Sequence, residues 1–318
     1  MERFGITIPF DGVALHEQRE WYAECSDLGY TDLWSSEVNG ADAFTPLALA
    51  SVWAPKARLG TAIVPAFTRG PALIAQSAAS LADAAPGRFV LGIGTSSDVI
   101  VERWNGVAFD EPYRRTRDVV RFLKAAFTGE KVEGDFDTFT TKGFKLSRVP
   151  DQAPPILVAA LRQGMLRMAG READGAIINW LSADDVKTVA PEVGEGKEIV
   201  ARIFVCPFDR ETARAIARFA IGAYLNVPVY AAFHDWLGRG PLLNDMWKAW
   251  QAGDRKLAME AIPDEVVDDL VVWGEPDACR EHVARYVANG VTTPALAILA
   301  PPGTDLRPFV RSLAPASA

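Results

Sequence analysis

The chain has 318 residues, 49% of them hydrophobic and 23% charged, enough apolar material for a sizeable core and too much for a disordered chain. Lys and Arg (33) fall short of Asp and Glu (41), giving a formal charge of −8 without any basic block, so a dedicated nucleic-acid binder is excluded. Cys25, Cys206 and Cys279 are scattered and odd in number, and His16, His234 and His282 have no CxxC pair beside them, so neither a disulfide scaffold nor a zinc site is expected.

The predicted elements alternate along the chain. A strand at 4–9 (FGITIP) precedes an amphipathic helix over 17–28, which ends at Gly29, a residue suited to a helix C-terminus. A strand at 32–37 (DLWSSE) precedes a helix of small residues over 44–54 that stops at Pro55. The strand at 59–65 (LGTAIVP) is followed by a helix over 71–85 with Pro71 in its first turn. The strand at 89–94 (FVLGIG) leads to a charged helix over 113–128, and 155–160 (PILVAA) leads to a helix over 163–173. After 175–180 (GAIINW) comes a helix announced by the capping signal Ser182-x-x-Asp185. The strand at 200–207 (VARIFVCP) opens a long helical region, and 294–300 (PALAILA) precedes a last helix over 306–313.

Eight nearly continuous apolar runs, each followed by a helix, predict parallel strands covered on both faces and closed into a (β/α)8 TIM barrel. A doubly wound sheet needs only five or six strands and would leave runs unused. Two insertions interrupt the alternation. Residues 131–149 read as a β-hairpin between units four and five, and 209–291 read as a helical, aromatic-rich insertion in unit seven. No linker divides the chain, so one domain over residues 1–318 is expected. The N-terminus lacks a long apolar run, and nowhere do about 18 uncharged apolar residues follow one another, so a cytoplasmic protein without membrane association is expected.

In such a barrel the site lies at the C-terminal strand ends. That rule selects Ser36, Glu37, Val38 and Asn39; Val64, Pro65 and Phe67; Thr95, Ser96, Ser97 and Asp98; Ala160, Leu161, Arg162, Gln163 and Gly164; and Asn179 and Trp180. Glu37 and Asp98 are the only carboxylates among these positions, and none is a histidine. There is no close acid pair for glycoside chemistry, no His-x-His for a binuclear metal and no Ser/His/Asp set. Walls of Val, Pro, Phe, Ala, Ser and Thr suit a flat aromatic cofactor that carries the chemistry itself. The segment 92–98 (GIGTSSD) offers backbone N–H groups to an anion, and equally reads as a tight strand-to-helix turn, because Ser97 stands where a dinucleotide fingerprint needs its third glycine. The segment 160–165 (ALRQGM) leaves N–H groups at Gln163, Gly164 and Met165 at a helix start beside Arg162, either a phosphate site or an ordinary helix beginning.

LGTAIVP followed by RGPALIAQSAASLADAAPGRFVLGIGTSS resembles the corresponding block of the bacterial luciferase-like superfamily, with its Gly-Thr strand, Pro-x-x-x-Ala-Gln helix and Gly-Arg-Phe-x-Leu-Gly-x-Gly strand. PPILVAA with AGREADGAIIN resembles a second signature, and WNGVAFDEPYRRTRD resembles the fourth helix. The resemblance is nearest to the actinobacterial branch that uses the deazaflavin coenzyme F420, with FMN as the alternative cofactor. It implies a bulge, often with a non-proline cis peptide, at Ala62–Ile63 beneath the ring. It further implies ring and ribityl contacts from Thr95, Ser96 and Ser97, and ribityl and phosphate contacts from Ala159, Ala160, Leu161 and the N–H groups of Arg162 to Met165. Glu37 takes the place of an acidic residue beside the ring, and homodimerisation through the small-residue helices is implied as well.

Two departures limit the carry-over. Val38 stands where sugar-oxidising relatives have a basic histidine, and Ser97 where they have a glutamate acid, which disfavours a sugar-phosphate dehydrogenase. The expected reaction is hydride transfer between the deazaflavin C5 and a small, apolar organic substrate. Candidate polar contacts are Glu37, Asn39, Asn179 and His234, and candidate stacking partners are Trp34, Trp104 and Trp180. Each has a plainer reading: Trp34 as barrel filling, Trp104 as helix packing, Asn179 as a cap, His234 as structural. An FMN-dependent monooxygenase and a cofactor-binding barrel without catalysis are the competing readings. A phosphate-binding barrel isomerase would need a base that these positions do not supply.

Overall fold

In the computed structural model of the chain, residues 3–315 are described. Twelve strands lie among them: β1 (Gly5–Ile8), β2 (Asp32–Ser35), β3 (Arg58–Thr61), β4 (Val64–Pro65), β5 (Phe89–Gly94), β6 (Val132–Asp135), β7 (Thr140–Phe144), β8 (Ile156–Ala159), β9 (Gly175–Asn179), β10 (Glu198–Cys206), β11 (Val272–Trp273) and β12 (Thr293–Ile298). The expected barrel forms. β1, β2, β3, β5, β8, β9, β10 and β12 pair in that order, all parallel, and the ring closes where β12 returns to β1. Arg202 on β10 sits in register between Asn179 of β9 and Ala295 of β12.

The helices Arg19–Asp27, Phe44–Trp53, Pro71–Ala84, Pro112–Ala126, Gln163–Glu172, Val186–Val193 and Arg307–Ser312 occupy the crossovers and the end of the chain, close to the expected positions. At the expected capping signal, Ser182 N donates to Asp185 at 2.7 Å and Asp185 N to Ser182 Oγ at 3.1 Å, just before the helix begins. The third strand carries the irregularity that the resemblance implies. It breaks at Ala62–Ile63, a cis peptide, and resumes as β4, which pairs with β5.

The barrel is filled by Trp34, Val90, Leu157, Ile177, Val200 and Ala295, with the ring of Trp34 as the largest plug. Gly60 and Gly5 make room for it: a Cβ at Gly60 would lie 2.2 Å from the indole, and one at Gly5 2.9 Å away. Trp34 is 1% exposed, and the Arg58 guanidinium lies 5.6 Å from its ring centroid. The expectation that Trp34 stacks on substrate is therefore corrected. Its strand position turns the indole inward, where alternation along a barrel strand places core residues. Arg58, Asp32, Glu198 and Arg3 close the N-terminal end as one ion-pair network, with Asp32 to Arg58 at 3.4 Å and Arg58 to Glu198 at 2.5 Å.

Both insertions are present. β6 and β7 form the antiparallel hairpin, held by Phe122 against Phe136, Phe139 and Phe144 and by Asp118 accepting from Thr138. Between β10 and β12 run helices Arg210–Leu225, Pro228–Trp236, Gly240–Gln251, Arg255–Glu260, Asp264–Leu270 and Pro276–Ala288; the first five contribute to a second apolar cluster, while Cys279, Val283 and Tyr286 of the last join the main core. Asp209 caps the first of them, accepting from Glu211 N at 3.0 Å and Thr212 N at 3.1 Å. Two short elements were not expected. β11 adds two residues beside β10, too few to show a period, and a π-helical turn spans Val99–Trp104. No single helix among the described residues is long and apolar enough to cross a membrane.

Candidate active site at the barrel mouth

Three of the expected segments meet on adjacent strands. The chain after β3, the end of β5 and the end of β8 are neighbours in the ring. A Cβ at Gly94 would come within 2.8 Å of the Ala159 side chain and 3.3 Å of Ile63, so glycine keeps these strand ends in close apposition. Thr61 and Gly92 are stitched by two 2.8 Å bonds through the Thr61 hydroxyl. Ala62 N donates to Ser35 O at 2.5 Å and Glu37 N to Ile63 O at 3.2 Å, tying the irregular strand to the segment after β2. Beyond β5 the chain turns at Ser96, whose φ of 63° is left-handed, while Thr95 Oγ1 donates to Ser96 O at 3.1 Å. Ser97 Oγ accepts from Ile100 N at 3.3 Å, so its hydroxyl is committed locally to the turn. Thr95, Ser96 and Ser97 remain half-buried at the mouth.

The helix Gln163–Glu172 starts beside this shelf without a side-chain cap. Arg162 is extended and exposed, and its carbonyl accepts the first helical bond from Leu166 N at 3.0 Å. The N–H groups of Gln163, Gly164 and Met165 therefore lie in the unpaired first turn. A Cβ at Gly164 would meet nothing within 4 Å, so the approach is open. Donors, a positive helix end and Arg162 fit a phosphate group, and the small, flat strand ends fit a planar ring beside it. Ala159, Ala160, Leu161 and Ile63 lie between the two.

The other side of the mouth holds a cavity of about 200 Å³, lined among others by Thr7, Phe10, Val38, Asn39, Arg202 and Ile298. Asn39 is exposed here. Glu37 is engaged: its carboxylate accepts from Arg69 at 2.8 Å and from Ala43 N at 3.2 Å. Asn179 donates to the Tyr230 hydroxyl at 3.1 Å and accepts from it at 3.3 Å, so the strand end is bonded to the helical insertion. Burial pushes the Tyr230 hydroxyl up to about 12, with the Asn179 hydrogen bond pulling the other way.

Two expected contacts lie elsewhere. Trp180 is 1% exposed and stacks on Phe204 at 4.0 Å, within the apolar cluster of the insertion, so its ring faces the insertion and not a substrate. His234 is fully buried next to Phe233, and desolvation, reinforced by the nearby Arg239 charge, holds its imidazole down at about 3. It is a neutral packing residue, not a polar contact offered to the mouth. Trp104, by contrast, is 53% exposed at the end of the π-helical turn. Sequence reasoning missed Arg202, Arg69 and Tyr230. Arg202 had a visible signal, a lone cation inside the apolar run VARIFVCP. Arg69 and Tyr230 had none, because their roles depend on which loop meets which.

A closed parallel barrel with its open polar groups at the C-terminal mouth, an irregular third strand and an uncapped helix after the fifth defines a barrel of the cofactor-binding type. The chain belongs to the luciferase-like monooxygenase family, whose model matches residues 2–293. It is 28% identical over 305 residues to a Mycobacterium tuberculosis protein named a coenzyme F420-dependent oxidoreductase, covering 86% of this chain and 88% of that one. It is also 28% identical over 301 residues to the F420-dependent glucose-6-phosphate dehydrogenase of Kineococcus radiotolerans, covering 86% and 84%. In fold it is similar to the coenzyme F420-dependent tetrahydromethanopterin reductase of Methanopyrus kandleri, with a TM-score of 0.80 at 20% identity over 98% and 97% of the two chains.

Proposed function

We propose that the protein is an F420-dependent oxidoreductase that passes hydride between the deazaflavin C5 and a small organic substrate at the barrel mouth. The observation that carries this reading is the junction of Ile63, Gly94 and Ala159 beside the uncapped first turn at Gln163, Gly164 and Met165. Names of relatives across most of the chain's length support the choice of cofactor. When bound, the deazaflavin supplies or accepts the hydride; the chain's own groups bind and orient.

In this reading Ala62, Ile63, Thr95, Ser96 and Ser97 face the ring and ribityl chain, and Ala159 to Met165 hold the ribityl chain and phosphate. Glu37, paired with Arg69, fixes the segment against the irregular strand, and Asn39 and Trp104 remain the accessible candidates for substrate contact. The absence of a histidine at Val38 and of an acid at Ser97 supports a substrate other than a sugar alcohol, whose oxidation needs a base. The homodimer implied by the resemblance would use the helices Phe44–Trp53 and Pro71–Ala84, where Val52 is 73% exposed.

Fluorescence titration with F420 and with FMN tests the proposal. Micromolar binding of F420 with negligible binding of FMN is expected; the reverse preference would overturn it in favour of an FMN-dependent monooxygenase. Hydride transfer from reduced F420 to any of a panel of enones or nitroaromatics would then separate an enzyme from a barrel that only binds the cofactor.

A further inference from the structure

Arg202 is an unusual residue for its place. It lies mid-strand on β10, facing the interior side of the mouth, and its Nε is buried without a hydrogen-bond partner. Among the described residues it makes no ion pair. Two other arginines with little exposure are treated differently: Arg58 is paired with Asp32 and Glu198, and Arg239 with Asp185 and Asp269. Removing a guanidinium from water without a counter-charge is costly, so an interior arginine is ordinarily met by a carboxylate or a ligand.

The same cavity contains a second unpartnered group. Thr7 Oγ1, on β1, is buried without a hydrogen bond and lines the cavity with Arg202. Phe204 lies 5.1 Å beneath the guanidinium carbon, fixing the plane of the fork and leaving its edge for a ligand. The surrounding walls are mixed, with Ile8, Phe10, Val38 and Ile298 beside Ser36 and Asn39. Asp11 is the other charged residue of that lining; its negative charge opposes any anion, and a dianion such as a phosphate monoester twice as strongly as a monoanion.

We infer that Arg202, assisted by the Thr7 hydroxyl, is the anchor for a carboxylate on an otherwise apolar substrate. The inference deepens the proposed function and rests on it for the claim that the cavity is the substrate side of the mouth. A planar monoanion matches the guanidinium fork with two parallel hydrogen bonds and presents a single charge to a single cation. The apolar side chains of the lining, Ile8, Phe10, Val38 and Ile298, would then hold the body of the molecule, so the substrate expected from the strand ends as apolar acquires one charged end.

Calorimetric titration of the chain, with and without F420, using benzoate and cinnamate against benzamide and cinnamamide, tests this. At least one carboxylate is expected to bind about 10-fold or more tightly than its amide, as for hydrogen bonds to charged groups. Arg202→Met should abolish that preference and Arg202→Lys should retain part of it. Both variants should melt no lower than the parent and keep its F420 affinity. Equal binding of acids and amides by the parent, or an undiminished preference in Arg202→Met, would overturn the anchor. Failure to bind F420 would instead overturn the proposed function, while the cofactor-free titration would still report on Arg202.

Discussion

The two ends of the barrel treat polar groups in opposite ways. At the N-terminal end Arg3, Arg58, Asp32 and Glu198 are ion-paired over the indole of Trp34, with Thr31 donating to Asp32 at 2.6 Å and Thr293 to Glu198 at 3.2 Å. Burial raises the Asp32 carboxyl, and Arg58, Thr31 and Arg3 act against that rise. At the C-terminal end Arg202 and Thr7 lack partners and the helix at Gln163 starts uncapped. One end answers charge with charge, although Trp34 Nε1 and Arg58 Nε make no hydrogen bond there; the other leaves a guanidinium without a carboxylate and an uncapped helix start open to a ligand. The contrast separates residues whose loss should unfold the chain from residues whose loss should leave it folded and unable to bind.

Trp34→Ala should give the largest effect and tests the closed end. Removing a fully buried aromatic between Gly5 and Gly60 should cost about 3–5 kcal/mol, read as a fall in the urea midpoint. F420 affinity of the remaining folded protein should not change; a tenfold loss would break the separation and return Trp34 to the site.

Gln163→Pro tests the open end. Proline is tolerated at the first helical position, and Arg162 is already extended as a residue before proline must be. The fold should survive while one N–H is lost, weakening F420 binding by about 10- to 100-fold if that N–H meets the phosphate. Unchanged affinity would place the phosphate elsewhere.

Acidification probes the insertion between these ends. His234 titrates at about 3 in the folded chain and near 6.5 when unfolded, so folding favours its neutral form. The stabilisation is present above about pH 6.5 and is lost as pH falls toward 3, amounting to about 2 kcal/mol between pH 7 and pH 5. His234→Phe should flatten that part of the stability profile. An unchanged profile would show that His234 is hydrated or partnered in solution.

The barrel was legible because each strand is buried on both faces and reads as a short apolar run, while the helices carry the longer period. The neighbouring places of 92–98 and 160–165 at the barrel mouth were legible too, since both segments follow strands directly and their place follows from the strand order. For Trp34 and His234 the plainer readings hold, barrel filling and packing, while the substrate contacts expected of them and of Trp180 fail for one reason. An aromatic or imidazole near a strand end can point inward or toward the mouth, and strand register and insertion packing decide which. Trp180, with φ at 52°, turns toward Phe204 in a way no local pattern announces. Arg202 was overlooked because a single cation within VARIFVCP breaks no motif; its meaning depends on the absence of a neighbouring carboxylate, a property of the folded barrel.

The two-residue strand β11 has a consequence out of proportion to its length. Val272 and Trp273 pair with Val205 and Cys206, the last residues of β10 before the helical insertion departs. The excursion thus leaves and returns at one spot on one strand, like a purse drawn shut at its string. The ring itself closes through β12 and β1 without the excursion, whose interior packs on the barrel through Trp180, Phe204 and Ala297. Residues 207–271 are in that sense a cassette, joined to the chain at one point and to the barrel wall by Trp180, Phe204, Asn179 and Asp185, the positions that must change with it.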